Sequence, residues 1–356
     1  MYLKYIIFFV FVIVSLLFNF QMPTKVIDQI QTITVAGYDA TEEDTIQETV
    51  VSPKYQEEGR VEDFIYTDTA ANIYENRVNL NAKATERLLN GKLQVALYNQ
   101  ELAEQGIENF IEYLTRDPSI GGNLNLAVVE GSTRELIDSV TTGKGIGVFF
   151  NDLFEHNIIH GSLPQTNLKL FESCLKSETC DPFLPMFSVE DENATLKAIA
   201  LFDDDKYVDN LPIQKANVFK LLYENVSDSN YQHKNERYNV ALENLESDKD
   251  MVFETNGGSG EVTINVKLRG VIREFTGNKV TERLTAIEKD VAKDIEEEID
   301  KMINRFQELN IDPLNIEGTV KSSNRDYNKD QFKSAYQEMP VNASVTVRIT
   351  GTGTER

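Results

Sequence analysis

Apolar residues fall along this chain in three patterns, and each pattern predicts a different element. The first is an unbroken run over residues 5–20 (YIIFFVFVIVSLLFNF), which carries no charge and is interrupted only by Ser15 and Asn19. Lys4 precedes it, on the end where cations are kept at the cytoplasmic side. Counted from Met1, the segment reaches the roughly 17–25 residues that a spanning helix needs. Residues 18–22 lack the small-x-small pattern of a cleavage site. Residues 1–21 are therefore expected to be a transmembrane anchor or signal segment. The missing cleavage pattern favours an uncleaved anchor with the body outside the cytoplasm.

The second pattern is the short apolar or alternating run that marks strands. Residues 27–39 read as a turn or helix entering a strand, and 39–60 as a strand pair with polar loops. Further strands are expected at 64–69, 92–98, 124–129, 195–202 and 207–210, the last two forming a hairpin around the Asp203–Lys206 turn. Val262, Ile264, Val266 and Leu268 alternate strictly with polar residues, as do Val341, Ala343, Val345, Val347 and Ile349. This alternation implies antiparallel pairing with one wet face for the last strand.

The third pattern has helical spacing. It predicts helices over 82–89, 106–114, 132–139, 148–159 and 213–225, and a long one over 279–310 whose apolar steps of three and four suit a helix lying across a sheet. Segment 227–236 reads as a loop and 254–260 (ETNGGSG) as a linker. The strand–helix cadence predicts a mixed α/β fold class, and the length after the anchor suggests two or three domains, with borders expected so as to give 22–185, 186–253 and 254–356. Asp181-Pro182 to Pro185 marks the first border.

Composition narrows the function classes. The net charge is −23, from 58 acids against 35 bases, which disfavours nucleic acid as a partner. Three histidines and no tryptophan leave little material for acid–base chemistry near neutral pH. No G-x-S-x-G, H-E-x-x-H, Walker or C-x-x-C pattern occurs, and Gly143, Gly145 and Gly147 follow a helix rather than a strand, so they read as a turn. His156 and His160 at i, i+4 could share a metal with Cys174 and Cys180, but the cysteine spacing is not that of usual zinc sites. In an extracytoplasmic body the Cys174–Cys180 pair is a possible disulfide. No catalytic residue, cofactor or metal ligand is assigned. Three glycosylation sequons, at Asn193, Asn225 and Asn342, are short enough to recur by chance.

The order of segments resembles one family. Residues 27–39 (IDQIQTITVAGYD) end in G-x-D; Lys92-Leu93-Gln94-Val95 leads through Glu101-Leu102-Ala103 to Gly106; Arg116-Asp117-Pro118-Ser119-Ile120 follows; Asp181-Pro182-Phe183-Leu184-Pro185 comes next; a strand–long helix–strand closes the chain from 262 to 349. In that order they resemble the C subunits of bacterial spore germinant receptors, the Ger(x)C family. Three positions depart from the family pattern. Lys92 stands where the family has histidine, and Gln21 stands at the expected lipidated cysteine, with Met22 at the following tryptophan. No cysteine precedes Cys174, so N-terminal lipidation is excluded and the apolar helix would be the tether.

The resemblance implies three α/β domains and a non-enzymatic subunit needed for spore germination. It places that subunit on the outer, extracytoplasmic face of the spore inner membrane, beside two integral membrane subunits (A and B) of a nutrient receptor. The alternative from another class is a membrane-anchored extracytoplasmic solute-binding protein.

Overall fold

The computed structural model describes residues 30–56, 60–256, 259–276 and 283–353, with residues 2, 4–6, 8 and 9 near the start. Most of the expected anchor, Gln21 included, lies outside the described residues. Among those described, no helix is long and apolar enough to cross a membrane.

In chain order the first part comprises β1 (Ile30–Thr32), β2 (Val35–Ala40), β3 (Ile46–Tyr55), β4 (Val61–Ala70), α1 (Ile73–Lys83), β5 (Arg87–Leu89), β6 (Val95–Asn99), α2 (Gln100–Gln105), α3 (Glu108–Arg116), β7 (Asn125–Val129), α4 (Thr133–Ser139), α5 (Ile146–Ile159) and α6 (Leu168–Ser177). There follow β8 (Phe183–Glu190), β9 (Asn193–Asp203), β10 (Lys206–Pro212), α7 (Ile213–Tyr223), β11 (Tyr231–Lys234), β12 (Asn239–Asn256), β13 (Ser259–Phe275), α8 (Leu284–Leu309), α9 (Ile316–Ser323), α10 (Lys329–Ala335) and β14 (Val341–Thr352).

The centre of the larger sheet is built from strands without alternation. β6 (VALYN) and β7 (NLAVV) are buried almost throughout, as strands covered on both faces must be. They pair in parallel with each other and with β2 and β8. Helices α2 and α3 make one crossover and α4 to α6 the next. An antiparallel hairpin closes each side, giving the eight-strand order β10-β9-β8-β7-β6-β2-β3-β4. Tyr38, Tyr98, Phe110, Leu114 and Phe202 fill one face of it. Val35, Leu97, Phe150, Phe154 and Phe187 fill part of the other.

The border expected at residue 185 falls inside β8. Pro185 pairs with Ile199 of β9, and the β8–β9 turn uses positive φ at both Asp191 and Glu192. Residues 186–253 divide between the two large sheets instead of forming one of their own. The proline-marked segment is a strand start rather than a break.

The second sheet has the order β11-β12-β13-β14. Helix α8 covers one face, its Ile287, Val291, Ile295, Ile299 and Phe306 packing on Val262, Ile264, Val266 and Leu268 of β13. That core is continuous with Phe183, Ile199, Leu201 and Phe219, so α7 is shared between both sheets. The last strand runs parallel to β13, from Val262↔Val341 onward, not antiparallel as expected. Alternation reports one wet face. Direction is decided by the intervening helix, which carries the chain back to the start of the sheet.

Three further expectations are corrected. The 254–260 stretch joins β12 and β13 as a hairpin, with Asn256 opposite Ser259, and not as a linker between domains. The helix expected over 82–89 lies earlier: α1 starts after Asn72, whose Oδ1 accepts from Glu75 N at 2.9 Å, and ends at Lys83. Arg87–Leu89 instead pair in parallel with β1, a long-range contact that local periodicity does not report. The expected loop at 227–236 contains β11, which pairs with β12. Mixed α and β sheets flanked by helices are what the chain forms.

Candidate functional site

Cys174 lies on α6 and Cys180 just after it, and the structure joins their sulfurs at 2.06 Å. The loop between them turns through Glu178 in the left-handed region. It delivers Asp181 to the junction between the two sheets. There the N–H of Asp181 donates to the Asp312 carbonyl at 3.0 Å, and the N–H of Asp312 donates to Asp181 Oδ2 at 2.6 Å. Asp181 Oδ1 accepts from Asp204 N at 3.0 Å. Asp312 in turn accepts from Ile316 N at 2.9 Å and Glu317 N at 2.7 Å, capping α9.

Both residues precede proline (Asp181-Pro182 and Asp312-Pro313), which favours the extended backbone that presents these N–H groups. In the sequence the two dipeptides read separately, as a border and a helix stop. In the fold they are partners. Burial raises the Asp181 carboxyl to about 6 against the pull of its two N–H donors. Burial likewise raises Asp312 to about 7, with the charge of Asp181 adding to the effect. All four oxygens of the pair are occupied by backbone donors, an arrangement that makes a joint.

Beside the clasp is a cleft of about 440 Å³ lined by the disulfide, Phe183, Tyr223, Lys249 and Leu314 among others. Burial lowers the Lys249 ammonium, whose Nζ donates to the Tyr223 carbonyl at 3.1 Å. A second joint lies nearby. Lys220 of α7 is buried and donates to the carbonyls of Ile158 and Gly161 at 2.5 and 3.2 Å, satisfying the end of α5.

The other residues marked in the sequence disperse. His156 and His160 face each other with ring centroids 5.9 Å apart, and His160 Nδ1 lies 3.3 Å from Asp228. The cysteines are bonded to each other, and among the described residues no three His, Cys, Asp or Glu side chains gather to hold a metal. The G-x-D of residues 37–39 acquires a structural role. Asp39 accepts from Thr133 N at 2.7 Å and Thr133 Oγ1 at 2.6 Å, positioning α4. A Cβ on Gly37 would stand 2.5 Å from Thr133 Oγ1, so the close approach needs glycine there.

Sequence reading missed one interior polar group. Glu48 of β3 is fully buried and pairs with Arg77 of α1 at 2.7 Å. Glu48 lies opposite Tyr38 in the sheet, and the Tyr38 and Tyr98 rings stack at 5.7 Å. Burial raises the Glu48 carboxyl, against the lowering effect of Arg77. Alternation places Glu48 on the same face as Ile46 and Val50, which is the signal that could have exposed it.

Two family models match consecutively. "Spore germination protein N-terminal domain" covers residues 23–189, and "Spore germination B3/ GerAC like, C-terminal" covers residues 197–353. The chain belongs to the Ger(x)C family of spore germination proteins. It is 27% identical over 350 residues to the family's spore germination protein GerQC of Bacillus cereus, covering 96% of this chain and 98% of that one. The crystal structure of the GerBC protein superposes with a TM-score of 0.61 at 14% identity, over 88% of this chain and 96% of that one, and shares the fold. The family's two halves meet between residues 189 and 197, inside the β8–β9 hairpin. The C-terminal half thus supplies two strands to the N-terminal sheet.

Proposed function

We propose that this chain is the C-type subunit of a spore germinant receptor. It acts without catalysis, tethered to the spore inner membrane with its body on the outer face, and works beside the two integral membrane subunits, A and B. The observation that carries this reading is the consecutive match of both family halves across residues 23–353. The apolar run at 5–20 supports the tether, since Gln21 occupies the position of the lipidated cysteine. Deleting the gene should abolish germination in response to at least one nutrient while leaving sporulation intact. Normal germination with every nutrient would overturn the reading. Mass spectrometry of the protein purified from membranes tests the tether and the Cys174–Cys180 bond together: a mature protein beginning near Gln21 would remove the anchor.

The cleft of about 440 Å³ favours a second reading, an anchored solute-binding protein. Titration calorimetry of the body from residue 22 onward with amino acids, nucleosides and sugars tests it. Absence of binding heat across the set would eliminate it.

A further inference from the structure

The cleft beside the Asp181–Asp312 joint draws its walls from both family halves. Leu170 and Phe171 of α6, the disulfide and Phe183 come from the first, and Tyr223 at the end of α7, Lys249 of β12 and Leu314 from the second. Packing explains most of these side chains. Phe171, Phe183 and Leu314 are buried, and the Phe183 and Tyr223 rings meet edge to face at 4.8 Å. Leu170 differs: it is 36% exposed, an apolar side chain left open on the cleft wall. Lys249 is the second group that packing leaves over. β12 places it opposite Val266, on the covered face of the sheet. An ammonium carries three N–H donors, and among the described residues only the Tyr223 carbonyl, at 3.1 Å, takes one. Glu224 acts on Lys249 only at a distance, since its own oxygens face Gln165 N at 3.2 Å and Lys220 Nζ at 3.9 Å. Among the described residues the only acid in the lining is Asp181, both of whose oxygens accept backbone N–H groups. The cleft therefore offers apolar walls, one cation with donors to spare and no free carboxylate. Its volume of about 440 Å³ suits a small molecule.

We propose that this cleft binds a small apolar carboxylate, with the ligand's carboxylate on Lys249 Nζ and its hydrocarbon part against Leu170, Phe183 and Leu314. The inference rests on reading the cleft as a solute site, and it narrows the solute to an acid without an amine. A ligand ammonium would find no counter-charge here, and a neutral ligand would leave the Lys249 charge unpaired. A carboxylate satisfies the spare donors, and a charge-assisted bond in a partly desolvated cleft is stronger than the same bond in water. Because the walls belong to both halves, the bound molecule touches both at once.

The test is titration calorimetry of the full chain in lipid nanodiscs at neutral pH, with empty nanodiscs as the blank. The probes are 3-phenylpropionate, its neutral analogue 3-phenylpropanol, and phenylalanine. Phenylpropionate should bind with a Kd of about 1 mM or tighter, and the other two should bind weaker by roughly tenfold or more. Lys249→Met, which keeps the apolar stem and removes the charge, should lose phenylpropionate affinity by roughly tenfold or more. Should that variant not fold, Leu170→Glu on the exposed wall should produce a similar loss by placing a like charge beside the ligand. No binding of phenylpropionate by the wild type, equal binding of the alcohol or of phenylalanine, or undiminished affinity in either folded variant would each overturn the proposal. If phenylpropionate fails while sugars or nucleosides bind, the cleft stays a solute site and only this assignment falls; silence from every solute removes both.

Discussion

β6 and β7 of the eight-stranded sheet are buried on both faces, whereas β13 of the four-stranded sheet buries Val262, Ile264, Val266 and Leu268 and turns Lys267 and Arg269 to solvent. The two sheets therefore handle charge differently. The larger one encloses a Glu48–Arg77 pair beneath α1. The smaller one leaves Lys267 and Arg269 in water on the open face and guards its outer edge with helix carboxylates. Glu288 and Glu296 of α8 accept from Ile349 N and Val345 N of β14, each at 2.8 Å. Those bonds occupy donors that an uncovered edge strand would offer to another chain. A charge at the interior of one sheet is thus structural, and a charge on the outer face of the other is nearly free.

Substitutions can break or sharpen that contrast. The largest effect is expected for Glu48→Ala, which strands the Arg77 guanidinium in the core and should cost about 3–5 kcal/mol in urea denaturation. Replacing both partners by apolar residues of similar size (Glu48→Leu with Arg77→Met) should recover most of that loss. If the double variant is no more stable than the single one, the pair does more than neutralise itself. Gly37→Ala comes next, at about 1–3 kcal/mol, because the new Cβ would collide with Thr133 and displace α4. Retention of full stability would mean that α4 moves freely against β2. Glu296→Ala should cost about 0.5–1.5 kcal/mol by removing one edge bond, and light scattering should show increased self-association. Lys267→Ala on the open face should change stability by less than about 0.5 kcal/mol. A larger loss there would show that the outer face is not simply solvated.

The comparison also explains why some of the fold was legible in the sequence. β13 and α8 are amphipathic: one face is wet, so polar and apolar residues repeat with the period of the element; α8 ends within a residue of the expected limit, whereas β13 runs on to Phe275, well past the alternating Val262–Leu268 stretch. The same logic failed for direction, since β14 alternates equally well in a parallel or an antiparallel pair. It failed again at Arg87–Leu89, where pairing with β1 overrides local helical spacing. Pro185 looked like a border because proline interrupts most strands, yet it lies in β8 opposite Ile199.

By itself the sequence determined which segments have one wet face, the acidic charge of the body, the order of motifs that marks the family, and the apolar run at 5–20. Those features are local or additive, so they survive without knowledge of contacts. Only the tertiary structure decided that two Asp–Pro dipeptides 131 residues apart form one joint, that Glu48 and Arg77 share an interior, and that the C-terminal half lends β9 and β10 to the N-terminal sheet. Each of these depends on which long-range partner a residue meets. Burial then gives that meeting its energetic consequence, raising carboxyls that would be unremarked in water.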